Sequence, residues 1–63
     1  MRITIKAARI NKGFTQAFVA KTIGVSKKTL GNLELGRTMP NADKIIKLCD
    51  LYEVSYDNIK WKA

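Results

Sequence analysis

The side chains best suited to specific hydrogen bonding are clustered in the segment SKKTLGN, residues 26–32. Lysine can donate to the O6 and N7 acceptors of guanine, and asparagine can pair with the N6 and N7 edge of adenine. If the segment is helical, successive residues are rotated by about 100°. One side of that helix would then comprise Lys27, Lys28, Gly31 and Asn32. Leu30 and Leu33 fall on the opposite side, so the helix needs neighbours that bury them.

Side chains for catalysis are sparse in this chain. It has no histidine, its acidic residues are scattered, and Cys49 is its only cysteine. Cys49 shares an apolar helical face with Ile45, Leu48 and Tyr52, so we expect it in the core. A single cysteine excludes an intramolecular disulfide and a paired-thiol zinc site. We therefore expect no enzymatic activity, no metal and no cofactor.

The net charge of +7 is concentrated in the first half of the chain. Residues 1–37 contain eight basic residues against the single acid Glu34, whereas residues 38–63 balance four lysines against four acids. This asymmetry favours a polyanionic partner, either nucleic acid or an anionic membrane surface. A basic surface that serves solubility is the alternative that composition leaves open.

Length and hydropathy indicate one small soluble domain over residues 1–63. The N-terminal MRITIKAARI has no apolar run long enough for a signal peptide, and no segment approaches the roughly 20 apolar residues of a membrane span. We expect a cytoplasmic protein. Because no effector domain follows the predicted helices, we expect no small-molecule effector, unless the chain is a fragment.

Capping residues and glycines predict five short helices packed on one core. The predicted N-caps of the first, second, third and fifth helices are Thr4, Thr15, Ser26 and Ser55, and Pro40 with Asn41 opens the fourth. The glycines expected to end the first three are Gly13, Gly24 and Gly36. RITIK, residues 2–6, alternates like a short strand, but five residues without a partner make a poor sheet. The predicted class is therefore all-α.

Residues 16–35 predict a helix-turn-helix. Gly24 can turn the chain between two helices that are joined by about three residues. The apolar positions that the helices and the turn would bury together are Val19, Ile23, Val25, Leu30 and Leu33. Ala20 faces the crossing, where a larger side chain would push the helices apart.

With these features the chain resembles the lambda repressor and Cro-like helix-turn-helix proteins, often called the XRE family. The resemblance runs from about Ile5 to Ile59. Its carriers are GFTQAFVAKTIGVSKKTLGNLELG at residues 13–36, then Pro40 and LYEVSYDNI at residues 51–59. It implies a compact five-helix DNA-binding domain whose third helix enters the major groove.

The resemblance assigns roles to residues on and around the third helix. The implied base-reading residues are Lys27, Lys28 and Asn32, with phosphate contact only as the alternative for each lysine. Helix starts favour anions, and the expected phosphate ligands there and beyond the third helix are Thr15, Gln16, Ser26, Arg37 and Thr38. For Thr15, capping by itself is the alternative. The resemblance also implies that Arg9 pairs with Glu34, the alternative being two separate surface charges.

Three positions depart from the pattern of the family. Phe18 and Leu35 stand where polar residues are usual, and either could contact another chain or simply be exposed. Gly31 lies inside the recognition helix, where glycine costs roughly 0.5–1 kcal/mol relative to alanine. Close approach of the backbone to DNA is one use for it, and tolerance within a packed helix is the alternative.

The sequence therefore predicts a sequence-specific, double-stranded DNA-binding transcriptional regulator, Cro-like or repressor-like, of phage or mobile-element type. One module this small contacts few base pairs, so we expect a homodimer on a palindromic operator. The candidate dimer residues are Tyr56, Ile59 and Trp61, although Trp61 could instead close its own core.

Two other classes of function are open to a basic helical chain. Binding to a membrane surface would use the basic charge and the C-terminal NIKWKA, but the charged residues do not form one polar face on a long helix. A protein-interaction module of antitoxin or antirepressor type could share the fold, with DNA binding secondary or lost. Duplex binding and its salt dependence would separate these classes.

Overall fold

The computed structural model describes residues 2–61. In chain order the elements are β1 Ile3–Thr4, α1 Ile5–Asn11, α2 Gln16–Ile23, α3 Lys27–Glu34, α4 Ala42–Tyr52 and β2 Ile59–Lys60. A single 3₁₀ turn, Tyr56–Asn58, lies between α4 and β2. Within this part of the chain no helix is both long enough and apolar enough to cross a membrane.

Each of the four α-helices begins at a side-chain cap. The capping oxygens belong to Thr4, Thr15, Ser26 and Asn41, and each accepts the backbone N–H three residues later at 2.9–3.1 Å. These bonds satisfy N–H groups that the first turn of a helix otherwise leaves without a partner. The caps predicted for the first three helices are therefore confirmed, and Asn41 opens the fourth as expected.

The turn between α2 and α3 depends on Gly24. Its φ of +80° is left-handed, a conformation that side-chain-bearing residues rarely adopt. The N–H groups of Gly24 and Val25 both donate to the carbonyl of Ala20, at 3.0 and 2.9 Å. This pair of bonds ends α2 and directs the chain toward the Ser26 cap of α3.

The prediction of a fifth helix is wrong, since residues 2–61 contain four α-helices. Ser55 makes no side-chain cap bond, and the turn after it ends at Ile59, whose backbone is extended. β2 instead pairs in parallel with β1, with Ile3 opposite Ile59 and Thr4 opposite Lys60. The expectation that RITIK forms no strand is also wrong. Ile3 and Thr4 find their strand partner at the other end of the chain.

One core joins the helices to the strand pair. Its buried residues are Ile5, Ala8, Val19, Ala20, Ile23, Leu30, Leu33, Leu48, Tyr52, Ile59 and Trp61. The indole N–H of Trp61 donates to the carbonyl of Tyr56 at 3.1 Å, which holds the chain after β2 against the 3₁₀ turn. Packing of α1 and α2 against the inner side of α3 leaves the opposite side of α3 outward.

Candidate nucleic-acid interface

The outward side of α3 carries the three side chains predicted to read bases. Leu30 and Leu33 are buried, Lys27 and Lys28 are exposed, and Asn32 is partly exposed. Their placement follows from the 3.6-residue period, which separates the leucines from the polar residues. The arrangement presents two ammonium groups and one amide along a single helical side. These are the donor and acceptor types that base edges in a major groove require.

Gly31 lies on the same outward side of α3. A Cβ built at this position would meet no atom within 4 Å, leaving aside the backbone of the helix itself. The glycine is therefore not required by packing within the described chain. Its absence of a side chain brings the helix backbone to the surface between Lys28 and Asn32.

The hydroxyl of Ser26 has both of its hydrogen-bonding roles in use. Its oxygen accepts the backbone N–H of Thr29 at 3.0 Å, and its hydrogen is donated to Thr29 Oγ1 at 2.9 Å. With this arrangement the hydroxyl hydrogen of Thr29 is directed away from the pair. Thr29 was absent from the predicted site, and a serine cap three residues earlier was the signal that could have suggested it.

The start of α2 combines a capped turn with two N–H groups that helix geometry leaves without a partner. Thr15 Oγ1 accepts the N–H of Phe18 at 3.1 Å, so the capping role of Thr15 is in place. The N–H groups of Gln16 and Ala17 precede the first intrahelical bond, which Val19 donates to Thr15. The positive end of the dipole of α2 therefore lies beside the side chain of Gln16, the first residue of this helix.

Arg9 and Glu34 form the ion pair that the resemblance implied. Arg9 Nε lies 2.6 Å from Glu34 Oε2, and the side chains are 11% and 3% exposed. Arg9 Nη2 also donates to Glu34 Oε1 at 3.4 Å, and Arg9 Nη1 donates to the carbonyl of Phe14 at 2.9 Å. The pair thereby connects α1, the loop before α2 and the last residue of α3. A buried pair of this kind fixes an orientation more than it raises net stability.

Gln16 joins this ion pair through a contact that no sequence pattern predicts. Its Nε2 donates to Glu34 Oε1 at 2.9 Å. Gln16 and Glu34 are 18 residues apart, so helical spacing does not relate them. The contact brings the start of α2 and the end of α3 into one hydrogen-bond network.

Tyr52 lies near the same network from α4. Its hydroxyl is buried and has no hydrogen-bond partner among the described residues. Burial raises the pKa of Tyr52, the nearby Glu34 carboxylate raises it further, and Arg9 opposes them. Tyr52 is therefore held as the neutral phenol beside the buried charges.

The segment after α3 places Arg37 and Thr38 at the surface. The backbone N–H of Arg37 donates to the carbonyl of Asn32 at 3.0 Å, so the chain folds back over the last turn of the helix. Both residues are exposed. They lie at the end of α3, next to exposed Leu35, whereas Thr15 and Gln16 lie at the start of α2.

Two of the three predicted dimer residues are placed inside the core. Ile59 is 3% and Trp61 8% exposed, because β2 packs against β1 and α1. In this conformation both side chains belong to the core of their own chain, which for Trp61 is the alternative that the sequence left open. Tyr56 is 51% exposed and stacks on Trp61 with ring centroids 5.5 Å apart.

The described residues show little that suits covalent or metal chemistry. Residues 2–61 contain no group of three or more His, Cys, Asp and Glu side chains arranged to hold a metal ion. Cys49 is partly buried, and burial followed by the charge of Asp50 raises the pKa of its thiol. The thiolate that would act as nucleophile or ligand is therefore disfavoured.

The fold and the outward side of α3 define a helix-turn-helix protein, and comparison with known proteins gives the same class. The family model described as helix-turn-helix matches residues 5–59, so the chain belongs to this family, of the lambda repressor and Cro-like (XRE) type. Its relatives carry the names of transcriptional regulators, which supports a DNA-binding regulator as the general class. No solved structure matches the chain.

Three of the relatives, all from Bacillus subtilis (strain 168), show how far the similarity extends. The uncharacterized HTH-type transcriptional regulator YazB is 38% identical over 55 residues, which cover 87% of this chain and 80% of YazB. The HTH-type transcriptional regulator ImmR is 34% identical, over 92% of this chain and 46% of ImmR. The SPbeta prophage-derived uncharacterized HTH-type transcriptional regulator YonR is 30% identical, over 84% of this chain and 49% of YonR.

Proposed function

We propose that the protein is a sequence-specific DNA-binding transcriptional regulator of Cro-like or repressor-like type, with α3 in the major groove of its operator. The observation that carries this proposal is the outward side of α3. Lys27, Lys28 and Asn32 share that side, while the buried leucines hold the helix on the core. Lysine to guanine and asparagine to adenine are pairings that the major groove permits.

Phosphate contacts on either side of α3 complete the proposed docking. At the start of α2, the N–H groups of Gln16 and Ala17 form the positive end of the helix dipole and suit one backbone phosphate. Beyond α3, exposed Arg37 and Thr38 suit another. Thr15 and Ser26 serve first as caps, and Thr29 supplies the hydroxyl donor that Ser26 has already used. The charge of +7 adds attraction that does not depend on sequence.

The proposal includes two copies of the chain on a palindromic operator. One recognition helix reads few base pairs, and half-sites read by paired modules lie about 34 Å apart on one face of the duplex. Exposed Tyr56 is the candidate contact that remains between the copies once Ile59 and Trp61 are assigned to the core. The prophage-derived relative YonR supports an origin in a phage or mobile element. A cytoplasmic location follows from the proposed target.

Selection of bound sequences from random duplex DNA tests this function. We expect a motif of a few base pairs repeated with inverted symmetry, and two protein chains per selected duplex by analytical ultracentrifugation. Enrichment of no motif, with equal binding to every duplex, would contradict sequence-specific regulation. A single half-site that binds one chain would contradict the dimer and leave the base-reading helix in place.

A protein-interaction module is the second candidate function, and Phe18 favours it. This side chain is 49% exposed on α2, and its ring centroid lies 5.0 Å from that of Phe14. A partner protein of antitoxin or antirepressor type could use such a surface. Duplex binding that does not weaken as salt rises, or no duplex binding at all, would favour this candidate because phosphate contacts release counterions.

A further inference from the structure

The side-chain amide of Gln16 uses one of its N–H groups within the described chain and leaves its other polar groups available. Gln16 Nε2 donates one hydrogen to Glu34 Oε1 at 2.9 Å. A primary amide has a second N–H and a carbonyl oxygen, and neither has a partner among residues 2–61. Gln16 is the first residue of α2, so the open half of its side chain adjoins the N–H groups that start this helix.

Glu34 is well placed to hold that amide in one orientation. Its side chain is 3% exposed, and Arg9 donates to both carboxylate oxygens, through Nε to Oε2 at 2.6 Å and through Nη2 to Oε1 at 3.4 Å. A carboxylate that is buried and bound twice has little freedom to rotate, so its bond to Gln16 is directional as well as strong. A glutamine on an open helix start would otherwise sample several rotamers.

From this geometry we infer that Glu34 is a positioning residue for the phosphate contact made by Gln16. The inference rests on the proposed function. Glu34 orients Gln16 so that its second N–H joins the helix N–H groups on one phosphate. Because Glu34 is also the last residue of α3, the phosphate contact and the base-reading helix are held by one network.

A purely structural role for Glu34 predicts different behaviour. If the carboxylate acts only through Arg9, by setting the angle of α3, its replacement should disturb the base contact of Asn32 and leave the contribution of Gln16 unchanged. If it positions Gln16, the reverse holds. The two roles are therefore separated by which residue is energetically coupled to Glu34.

Two double-mutant cycles on the selected duplex measure this coupling. Gln16→Leu roughly keeps the size of the side chain and removes its hydrogen bonds. Glu34→Gln keeps the shape, removes the charge and leaves Gln16 only a neutral, weaker acceptor. We expect Gln16→Leu to weaken binding about tenfold in the wild-type background, as for one hydrogen bond to a charged group. In the Glu34→Gln background the same change should cost about threefold or less.

The matched cycle pairs Glu34→Gln with Asn32→Ala, for which we expect the effects to multiply to within about twofold. Equal effects of Gln16→Leu in both backgrounds, or equal coupling in the two cycles, would overturn the inference. Thermal unfolding of each variant confirms that the measured species is folded.

A measurement on the unmodified protein covers the case in which Glu34→Gln does not fold. In ¹H–¹⁵N spectra the two side-chain amide protons of Gln16 should respond differently to duplex, one staying bound to Glu34 and the other shifting as it meets phosphate. Loss of the Glu34-bound signal on binding would overturn the inference. Failure of the wild-type protein to bind any duplex would overturn the proposed function with it, whereas specific binding without coupling would overturn the inference alone.

Discussion

Lys44 on α4 closes the end of α2, because its Nζ donates to the backbone carbonyl of Ile23 at 2.9 Å. Ile23 is the last residue of α2, and the carbonyls at a helix end have no intrahelical partner. The positive charge also lies at the negative end of the α2 dipole. The fourth helix therefore supports the helix-turn-helix turn directly at Gly24.

Replacing Lys44 by Met should destabilise the fold through this lost contact. Met replaces the apolar stem of the side chain and removes the donor, so we expect the free energy of unfolding to fall by about 1 kcal/mol. Lys47→Met is the matched control, because Lys47 is on the same helix and its ammonium contacts Asp43 at the surface. Urea unfolding of both variants gives the comparison. Equal losses would show that Lys44 contributes no more than a surface charge.

Removing one partner of the Arg9–Glu34 pair should lower the free energy of unfolding strongly, whereas replacing both partners should lower it little. Arg9→Met leaves the carboxylate of Glu34, 3% exposed, without its cation, and such a loss costs about 3–5 kcal/mol. The double variant Arg9→Met with Glu34→Leu removes both charges, so we expect it to recover most of that loss. Denaturant titration of both proteins measures the difference. A double variant no more stable than Arg9→Met would contradict this account of the pair.

Tyr52 should make the protein sensitive to alkaline pH. Burial raises the pKa of its phenol above the ordinary value of 10.0, so the folded state retains a proton that the unfolded state releases. This stability is complete below about pH 10 and falls as pH rises further. Tyr52→Phe should lose less stability between pH 8 and pH 11 in thermal unfolding. Tyr56→Phe, changed at an exposed ring, should behave like the wild type.

Near neutral pH, Tyr52→Phe should not destabilise the protein. The hydroxyl has no partner within residues 2–61, and burying such a group is unfavourable by about 1–3 kcal/mol. We therefore expect unchanged or higher thermal stability at pH 7. A clear loss of stability at pH 7 would mean that the hydroxyl is satisfied in solution.

Much of this fold was predictable because the boundaries of its helices are set by residues close in sequence. The caps at Thr4, Thr15 and Ser26 each bond to an N–H three residues away, and Gly24 acts through its own backbone angle. Residue type and short spacing carry that information. The outward side of α3 follows from helical periodicity for the same reason.

The parts that were not predictable depend on contacts between distant segments. β1 forms a strand because β2 arrives from the other end of the chain, and this pairing takes Ile59 away from a fifth helix. Lys44 and Ile23 are 21 residues apart, and Gln16 and Glu34 are 18 apart. No local spacing rule relates such pairs, so they require the packed helices to be known. The Arg9–Glu34 pair was expected through family resemblance, which stands in for that knowledge.

Gly31 should lower the stability of α3 and in return allow the helix backbone to approach DNA closely. Its helical backbone and the open space around it let alanine fit, so Gly31→Ala should raise the free energy of unfolding by about 0.5–1 kcal/mol. If the bare backbone approaches the duplex, the added methyl should weaken binding to selected DNA. Gly24→Ala is the opposite control, since a φ of +80° makes alanine unfavourable there. A stabilised Gly31→Ala protein with unchanged DNA affinity would mean that the glycine is merely tolerated.

Residues that read bases and residues that bind phosphates should be distinguishable by how much their replacement changes DNA affinity on different sequences and at different salt concentrations. Replacing Lys28 or Asn32 by Ala should cost about 1–3 kcal/mol on the selected duplex and relax the preference at one or two base pairs. Affinity for scrambled duplex should change less for Asn32, which carries no charge.

Arg37→Ala should instead weaken binding to every duplex by a similar factor and flatten the plot of log affinity against log salt by about one unit. Lys27, exposed in the first turn of α3, can reach either kind of target, and its salt slope and selected motif together assign it. Each variant is compared on selected and scrambled duplexes at several salt concentrations. If Lys28 and Asn32 variants bound every duplex more weakly by one common factor and selected the wild-type motif, the outward side of α3 would be a phosphate-binding surface, and sequence would be read elsewhere.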